Sequence, residues 1–237
     1  MKDAQIDVSA DGAELARRAA EWLVEEANAV QGTCRIALSG GSTPRALYTL
    51  LAAEPLRSQM PWDRLELFWG DERFVPPDDK DSNYRMARET MLDHVPIDPD
   101  QVHRMPTEGR PEDAAQAYED LLKQVYGGDR IAPDRPFFDI MLLGMGPDGH
   151  TASLLPGSDI LDESAKWVAA VSQGRPEVRL TLTYPLIDSS RTVAFLLSGA
   201  EKAKAFAQVR AGDMALPAAR VDPVGKLLWF VDQTVLG

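Results

Sequence analysis

Asp148 and His150 stand two residues apart in the stretch Gly144-Met145-Gly146-Pro147-Asp148-Gly149-His150-Thr151. A histidine can act as a general base near neutral pH. The apolar run Phe138-Asp139-Ile140-Met141-Leu142-Leu143 precedes the stretch and reads as a buried strand. The glycines that follow let the backbone bend sharply and approach a ligand closely. In an open α/β sheet, ligands bind at the carboxyl ends of the strands. The competing reading makes His150 a structural cap on a short helix suggested by Thr151-Ala152-Ser153-Leu154-Leu155. The glycine-rich strand end favours the functional reading.

A second constellation suits an anion. Ser39-Gly40-Gly41-Ser42-Thr43-Pro44 lies between an apolar run and a helical pattern. Glycines and hydroxyls at a helix N-terminus can cradle a phosphate, because backbone N–H groups and the helix dipole both favour negative charge. A tight, well-capped βα turn explains the same residues, with Thr43 as cap and Pro44 opening the helix. The segment lacks the Gly-Lys-Ser/Thr ending of a P-loop and the Gly-x-Gly-x-x-Gly of a dinucleotide turn. Asp71-Glu72-Arg73 follows another apolar run. Alone it reads as a solvated turn, although Arg73 could face the same anion. Arg179 opens a strand, and Lys202 begins a helix, where a cation opposes the dipole and so hints at a ligand. No Gly-x-Ser-x-Gly elbow supports a Ser-His-Asp triad, and His94, His103 and His150 are too scattered for a zinc site. His94 and His103 read as surface or edge residues.

Alternating strands and helices must position these groups. Strands are predicted at Arg35–Leu38, Leu65–Trp69, Phe138–Leu143, Arg179–Thr183, Val193–Leu197 and Leu227–Val231. Helices are predicted at Asp11–Val30, from Pro44 through Leu51, at Asn83–Leu92 and Pro111–Val125, and from Ser198-Gly199-Ala200-Glu201-Lys202 through Val209. That alternation predicts an α/β fold, its sheet mostly parallel with helices on both faces. The 237 residues suit a single domain over 1–237. The run Asp78-Asp79-Lys80-Asp81 reads as a solvated loop.

The formal charge of −12, without a basic stripe, disfavours nucleic acid and an anionic membrane surface as partners. A small anionic substrate is not disfavoured, because a few local cations decide its binding. No apolar run approaches the roughly 20 residues that span a bilayer, and no signal-peptide pattern follows Met1. Cys34, the one cysteine, excludes an intrachain disulfide and reads as a small buried residue. These features fit a cytoplasmic location. They leave a monomer or a small homo-oligomer open.

Taken together, the segments 39–44, 69–76, 82–84, 144–155, 179–185 and 198–202 resemble the 6-phosphogluconolactonases, within the wider group that holds the glucosamine-6-phosphate deaminases. The resemblance runs through most of the chain in the family's order. It implies a Rossmann-like α/β fold and hydrolysis of 6-phospho-D-glucono-1,5-lactone to 6-phosphogluconate, the second step of the oxidative pentose phosphate pathway, without metal or organic cofactor. Under it, His150 activates water and Asp148 either orients His150 or holds a sugar hydroxyl. The phosphate lies near Ser39, Gly40, Gly41, Ser42 and Thr43, clamped by some of Arg45, Arg73, Arg179 and Lys202. The deaminases carry a carboxylate five residues after the histidine, where this chain has Leu155. That departure favours the lactonase over a deaminase or isomerase. The other alternative, a non-catalytic sugar-phosphate sensor, sits poorly with the intact Asp148 and His150.

Overall fold

The computed structural model describes residues 4–174 and 176–237. In chain order the elements are β1 (Gln5–Ser9), α1 (Gly12–Ala29), β2 (Cys34–Leu38), α2 (Ser42–Leu51), α3 (Leu56–Gln59), β3 (Leu65–Trp69) and β4 (Asp71–Arg73). They continue as α4 (Asn83–Thr90), α5 (Pro111–Tyr126), β5 (Ile140–Leu143), β6 (Val168–Val171), β7 (Arg179–Leu182) and α6 (Tyr184–Ile187). The chain closes with β8 (Thr192–Leu197), α7 (Ala203–Arg210), β9 (Lys226–Asp232) and α8 (Gln233–Leu236).

Six strands form a parallel sheet in the order β1-β9-β8-β5-β2-β3. Every residue of β5 and β8 is buried. Strands so covered on both faces read as continuous apolar runs rather than alternating ones, as Ile140-Met141-Leu142-Leu143 does. From β2 the chain crosses outward through α2 to β3, whereas from β5 it leads the other way, to β8. The connection therefore reverses between the neighbours β2 and β5. At such a switch point the loops leaving the strands' carboxyl ends diverge and open a crevice.

A small antiparallel sheet, β4-β7-β6, stands beside the main one. Asp71-Glu72-Arg73 is a strand rather than a solvated turn, with Asp71 and Glu72 buried. The Arg179 strand pairs with it antiparallel, facing Arg73 with Arg179. The connection is tight: after one residue, Gly70, the chain passes from β3 of the large sheet to β4 of the small one.

The helix starts hold two different lessons. Asp11 caps α1 as expected, its carboxylate accepting from the N–H groups of Ala13 and Glu14. Thr43 does not cap α2. That helix begins one residue earlier, at Ser42, behind Gly41 at φ +108°, and has no side-chain cap. Glycine adopts that angle freely, so the chain turns sooner than Pro44 suggested. The expected short helix after His150 is absent: Thr151 and Leu154 form a β-bridge around Ala152 at φ +46°. Lys202 ends a single 3₁₀ turn, Ala200–Lys202, before α7. Cys34 is buried at the start of β2, as expected. No described helix is long and apolar enough to cross a membrane.

Candidate active site

The loops leaving β2, β3 and β5 line one cavity, closed on its far side by β7 and the 3₁₀ turn before α7. Its wall includes Ser39, Gly40, Gly41, Ser42, Thr43 and Pro44 from the β2–α2 turn and Asp71, Arg73 and Asn83 from the β4–α4 region. Gly144, Met145, Gly146, His150 and Ala152 come from the turn after β5, with Arg179, Leu196 and Lys202 completing it. Segments far apart in sequence thus meet at the switch point.

The β5 turn is built around the pair Asp148 and His150. Asp148 Oδ1 lies 2.5 Å from His150 Nδ1 and also accepts from the His150 N–H at 3.2 Å. A carboxylate only accepts, so Nδ1 carries the proton in this contact and Nε2 is the basic nitrogen of the neutral ring. Asp148 stands behind the ring, and the imidazole rather than the carboxylate lines the cavity. The turn closes on itself through Gly146 N–H to His150 O at 2.9 Å and Gly149 N–H to Gly146 O at 3.0 Å. Gly146 has a steric reason: a Cβ there would fall 2.1 Å from His150 Cε1 and 2.7 Å from Asp148 Oδ1. The glycine is the space the pair occupies.

Arg73, Arg179 and Lys202 give the cavity a cationic wall. Arg73 Nη1 donates to Asn83 Oδ1 at 2.8 Å and to the Asp81 carbonyl at 2.9 Å. The run 78–81 is therefore a solvated loop that also anchors an arginine. Asn83 in turn donates to the Asp71 carbonyl at 2.9 Å. Beneath it Glu72 accepts from the N–H groups of Asn83 at 2.7 Å and Tyr84 at 2.8 Å, and from Ser82 Oγ at 3.0 Å. Burial raises the Glu72 carboxyl above its usual range, opposed by those backbone N–H groups. Glu72 is thus the buried anchor of the α4 N-terminus, and Asn83 is the residue that transmits its order to Arg73.

Arg179 binds Glu177 through Nε, at 3.1 Å, and through Nη2. That contact holds the Glu177 carboxyl below its usual range. The Nη1 edge of Arg179 carries no partner among the described residues. Lys202 reaches the same cavity without an ion-pair partner among the described residues. Burial pushes its pKa down, against the raising influence of Glu201 and Asp232. A buried cation of this kind gains from an incoming anion, which restores favourable charge. The uncapped first turn of α2 adds backbone donors to the same wall.

The β2–α2 turn is held from below. Buried Tyr48 donates its hydroxyl to the Ser39 carbonyl at 2.9 Å and accepts from the Ser39 N–H at 3.0 Å. Gly40 is required by its neighbour, since a Cβ would sit 2.0 Å from Asn83 Oδ1. Gly40→Ala is therefore expected to displace Asn83, release Arg73 and raise KM several-fold with a smaller change in kcat. Steady-state kinetics of the folded variant checks this; an unchanged KM contradicts it.

The cavity brings together Ser39, Gly40, Gly41, Ser42, Thr43, Arg73, His150, Arg179 and Lys202. It does not include Arg45. At about 100° per residue, Arg45 is carried around α2 onto the exposed face and does not line the cavity. Asp71 and Asn83 were underused by sequence reading. Asp71 is buried in the wall, with Oδ2 accepting from Ser153 Oγ at 2.7 Å, and its own strand β4 had no local sequence signal, because it exists through pairing with β7. His103 lies at the sheet edge, its N–H donating to the Leu67 carbonyl of β3 at 2.8 Å, and its half-buried ring stacks on Phe68 with centroids 4.6 Å apart.

Comparison with known proteins gives concordant results. The family model "Glucosamine-6-phosphate isomerases/6-phosphogluconolactonase" matches residues 10–229. A 6-phosphogluconolactonase of Nostoc sp. is 43% identical over 208 residues, covering 85% of this chain and 83% of that protein. One of Synechocystis sp. is 42% identical over 215 residues, covering 89% and 86%. The crystal structure of 6-phosphogluconolactonase from Thermotoga maritima superposes with a TM-score of 0.83 at 30% identity, covering 98% of this chain and all of that one, 100%.

Proposed function

The chain belongs to the glucosamine-6-phosphate isomerase and 6-phosphogluconolactonase family, and from that premise we propose that it hydrolyses 6-phospho-D-glucono-1,5-lactone to 6-phospho-D-gluconate, working as one α/β unit. The activity is that of a 6-phosphogluconolactonase, a lactone hydrolase of the oxidative pentose phosphate pathway. One observation carries the mechanism: the Asp148–His150 pair, 2.5 Å apart, whose imidazole lines the same cavity as Arg73, Arg179 and Lys202.

The cationic wall suits the 6-phosphate. With the dianion held by Arg73, Arg179, Lys202 and the first turn of α2, the lactone carbonyl extends toward the β5 turn. Binding energy from this remote group positions the reacting carbon. His150 Nε2 takes a proton from water as its oxygen bonds to C1. The carbonyl π electrons move onto oxygen, giving a tetrahedral oxyanion. When that oxyanion collapses, the C1–ring-oxygen bond breaks, and the imidazolium returns its proton to the departing oxygen. Asp148 fixes the tautomer that makes this possible and stabilises the cation formed midway. The lactone is an activated ester, so water placement and one proton shuttle suffice.

Leu155 is buried and apolar and lies outside the cavity lining. The proton relay that sugar-phosphate ring opening requires has no carrier at that position. Parallel assays test the choice: the lactone is consumed faster than its spontaneous loss, and glucosamine 6-phosphate releases no ammonia. Ammonia release with no lactone acceleration would reverse the assignment.

A further inference from the structure

The β5 turn leans on a segment that plays no part in the chemistry above. Residues 213–224 run from α7 to β9 and cross behind the glycine-rich loop. The Ala218 N–H donates to the Gly149 carbonyl at 3.0 Å, immediately before His150. Leu216 packs on the same glycine so closely that a Cβ at Gly149 would lie 2.9 Å from Leu216 Cδ2. Gly149 itself sits at φ +79°, where a side chain would be strained even in open space.

This strap is pinned at two points one helical turn apart. The Tyr184 hydroxyl donates to the Pro217 carbonyl at 2.9 Å. At the other end of α6, Asp188 Oδ1 accepts from the Asp222 N–H at 3.0 Å and the Asp188 carbonyl from the Val224 N–H at 2.8 Å. Pro217 and Ala218 are buried beneath these contacts. A continuous path of contacts thus runs from Tyr184 through Pro217 and Ala218 to Gly149, one residue from the imidazole. Neither Tyr184, Asp188 nor Leu216 lines the cavity.

We propose that Tyr184 is a positioning residue for His150, acting through the 213–224 strap to hold the β5 turn at the distance water activation needs. The inference rests on His150 serving as the base. A catalytic group displaced by about 1 Å can lose up to about 100-fold in rate, so a loosened brace is read in kcat. The phosphate-binding wall has no contact with the strap among the interactions described above, so KM should stay put.

Tyr184→Phe removes one hydrogen bond and little else. It is expected to lower kcat about tenfold with KM within about twofold. Leu216→Ala loosens the same turn through packing and should show the same split, keeping the test available if Tyr184→Phe folds poorly. Asp188→Asn retains an acceptor for Asp222 and should stay closer to the parent enzyme than Asp188→Ala. Met214→Ala, at an exposed site on the strap, should leave both parameters unchanged. Parent-like kcat in folded Tyr184→Phe and Leu216→Ala overturns the inference, as does a rise in KM matching any fall in kcat. His150→Ala run alongside separates the two claims. If His150→Ala is inactive while the strap variants are normal, the brace alone fails; if His150→Ala is active, the base assignment fails first.

Discussion

Replacing His150 with alanine is expected to lower kcat roughly 100-fold or more while KM changes little. The size follows from the role. A positioned general base contributes about 10²–10⁴-fold, and in the proposed mechanism His150 acts twice, accepting the proton of water and returning it to the ring oxygen. Binding should be spared because the proposed phosphate clamp rests on other residues, Arg73, Arg179 and Lys202. Folding is spared because the turn is closed by backbone bonds, Gly146 to His150 and Gly149 to Gly146, which alanine retains. Steady-state kinetics on the folded variant, corrected for spontaneous lactone loss, makes the measurement. Near-normal kcat would remove His150 from the reaction and leave the Asp148 contact with a purely structural meaning.

Arg179→Ala is expected to act at the other end of the substrate. Hydrogen bonds to charged groups contribute about 1.5–3 kcal/mol, so kcat/KM should fall on the order of 10- to 100-fold. Most of that loss should appear in KM, because phosphate contacts are made in ground state and transition state alike. Some should reach kcat, since the phosphate also places C1. Arg179 is well suited to the role: Glu177 holds its Nε and Nη2, fixing the guanidinium of a residue that lines the cavity. Kinetics on the phosphorylated and unphosphorylated lactones should show the defect for the first alone. A variant with both constants unchanged would shift the clamp to Arg73 and Lys202.

Much of this site was legible from the sequence because its parts are local. Strand-end glycines beside polar residues, as at Ser39–Thr43 and Gly144–His150, are set by backbone geometry within a few residues. The central strands were legible for a related reason: β3 was predicted at its observed bounds, and β5 and β8 are apolar runs with no exposed face. What was not legible depends on distant partners. The strand β4 exists because β7 pairs with it across more than a hundred residues of chain. β1 is an edge strand whose residues are mostly exposed or half-buried, so it lacks the apolar run that marks the centre.

The glycines show the same division. That Gly40 and Gly146 permit sharp turns is a local statement. That each vacates the volume filled by Asn83 or His150 is a tertiary one, and it explains why these particular positions cannot carry a side chain. Thr43 was expected to cap α2, but the helix starts earlier, at Ser42. With the cap at Gly41, Thr43 turns inward to the cavity and Arg45 outward to solvent.

The central claim is lactone hydrolysis directed by a phosphate clamp, and pH-stat hydrolysis of freshly prepared 6-phosphogluconolactone tests it most directly, with unphosphorylated gluconolactone run beside it. The account predicts acid release far above the spontaneous rate for the phosphorylated lactone and little acceleration for the other. No acceleration of either lactone would contradict the hydrolase assignment, and equal acceleration of both would contradict the clamp.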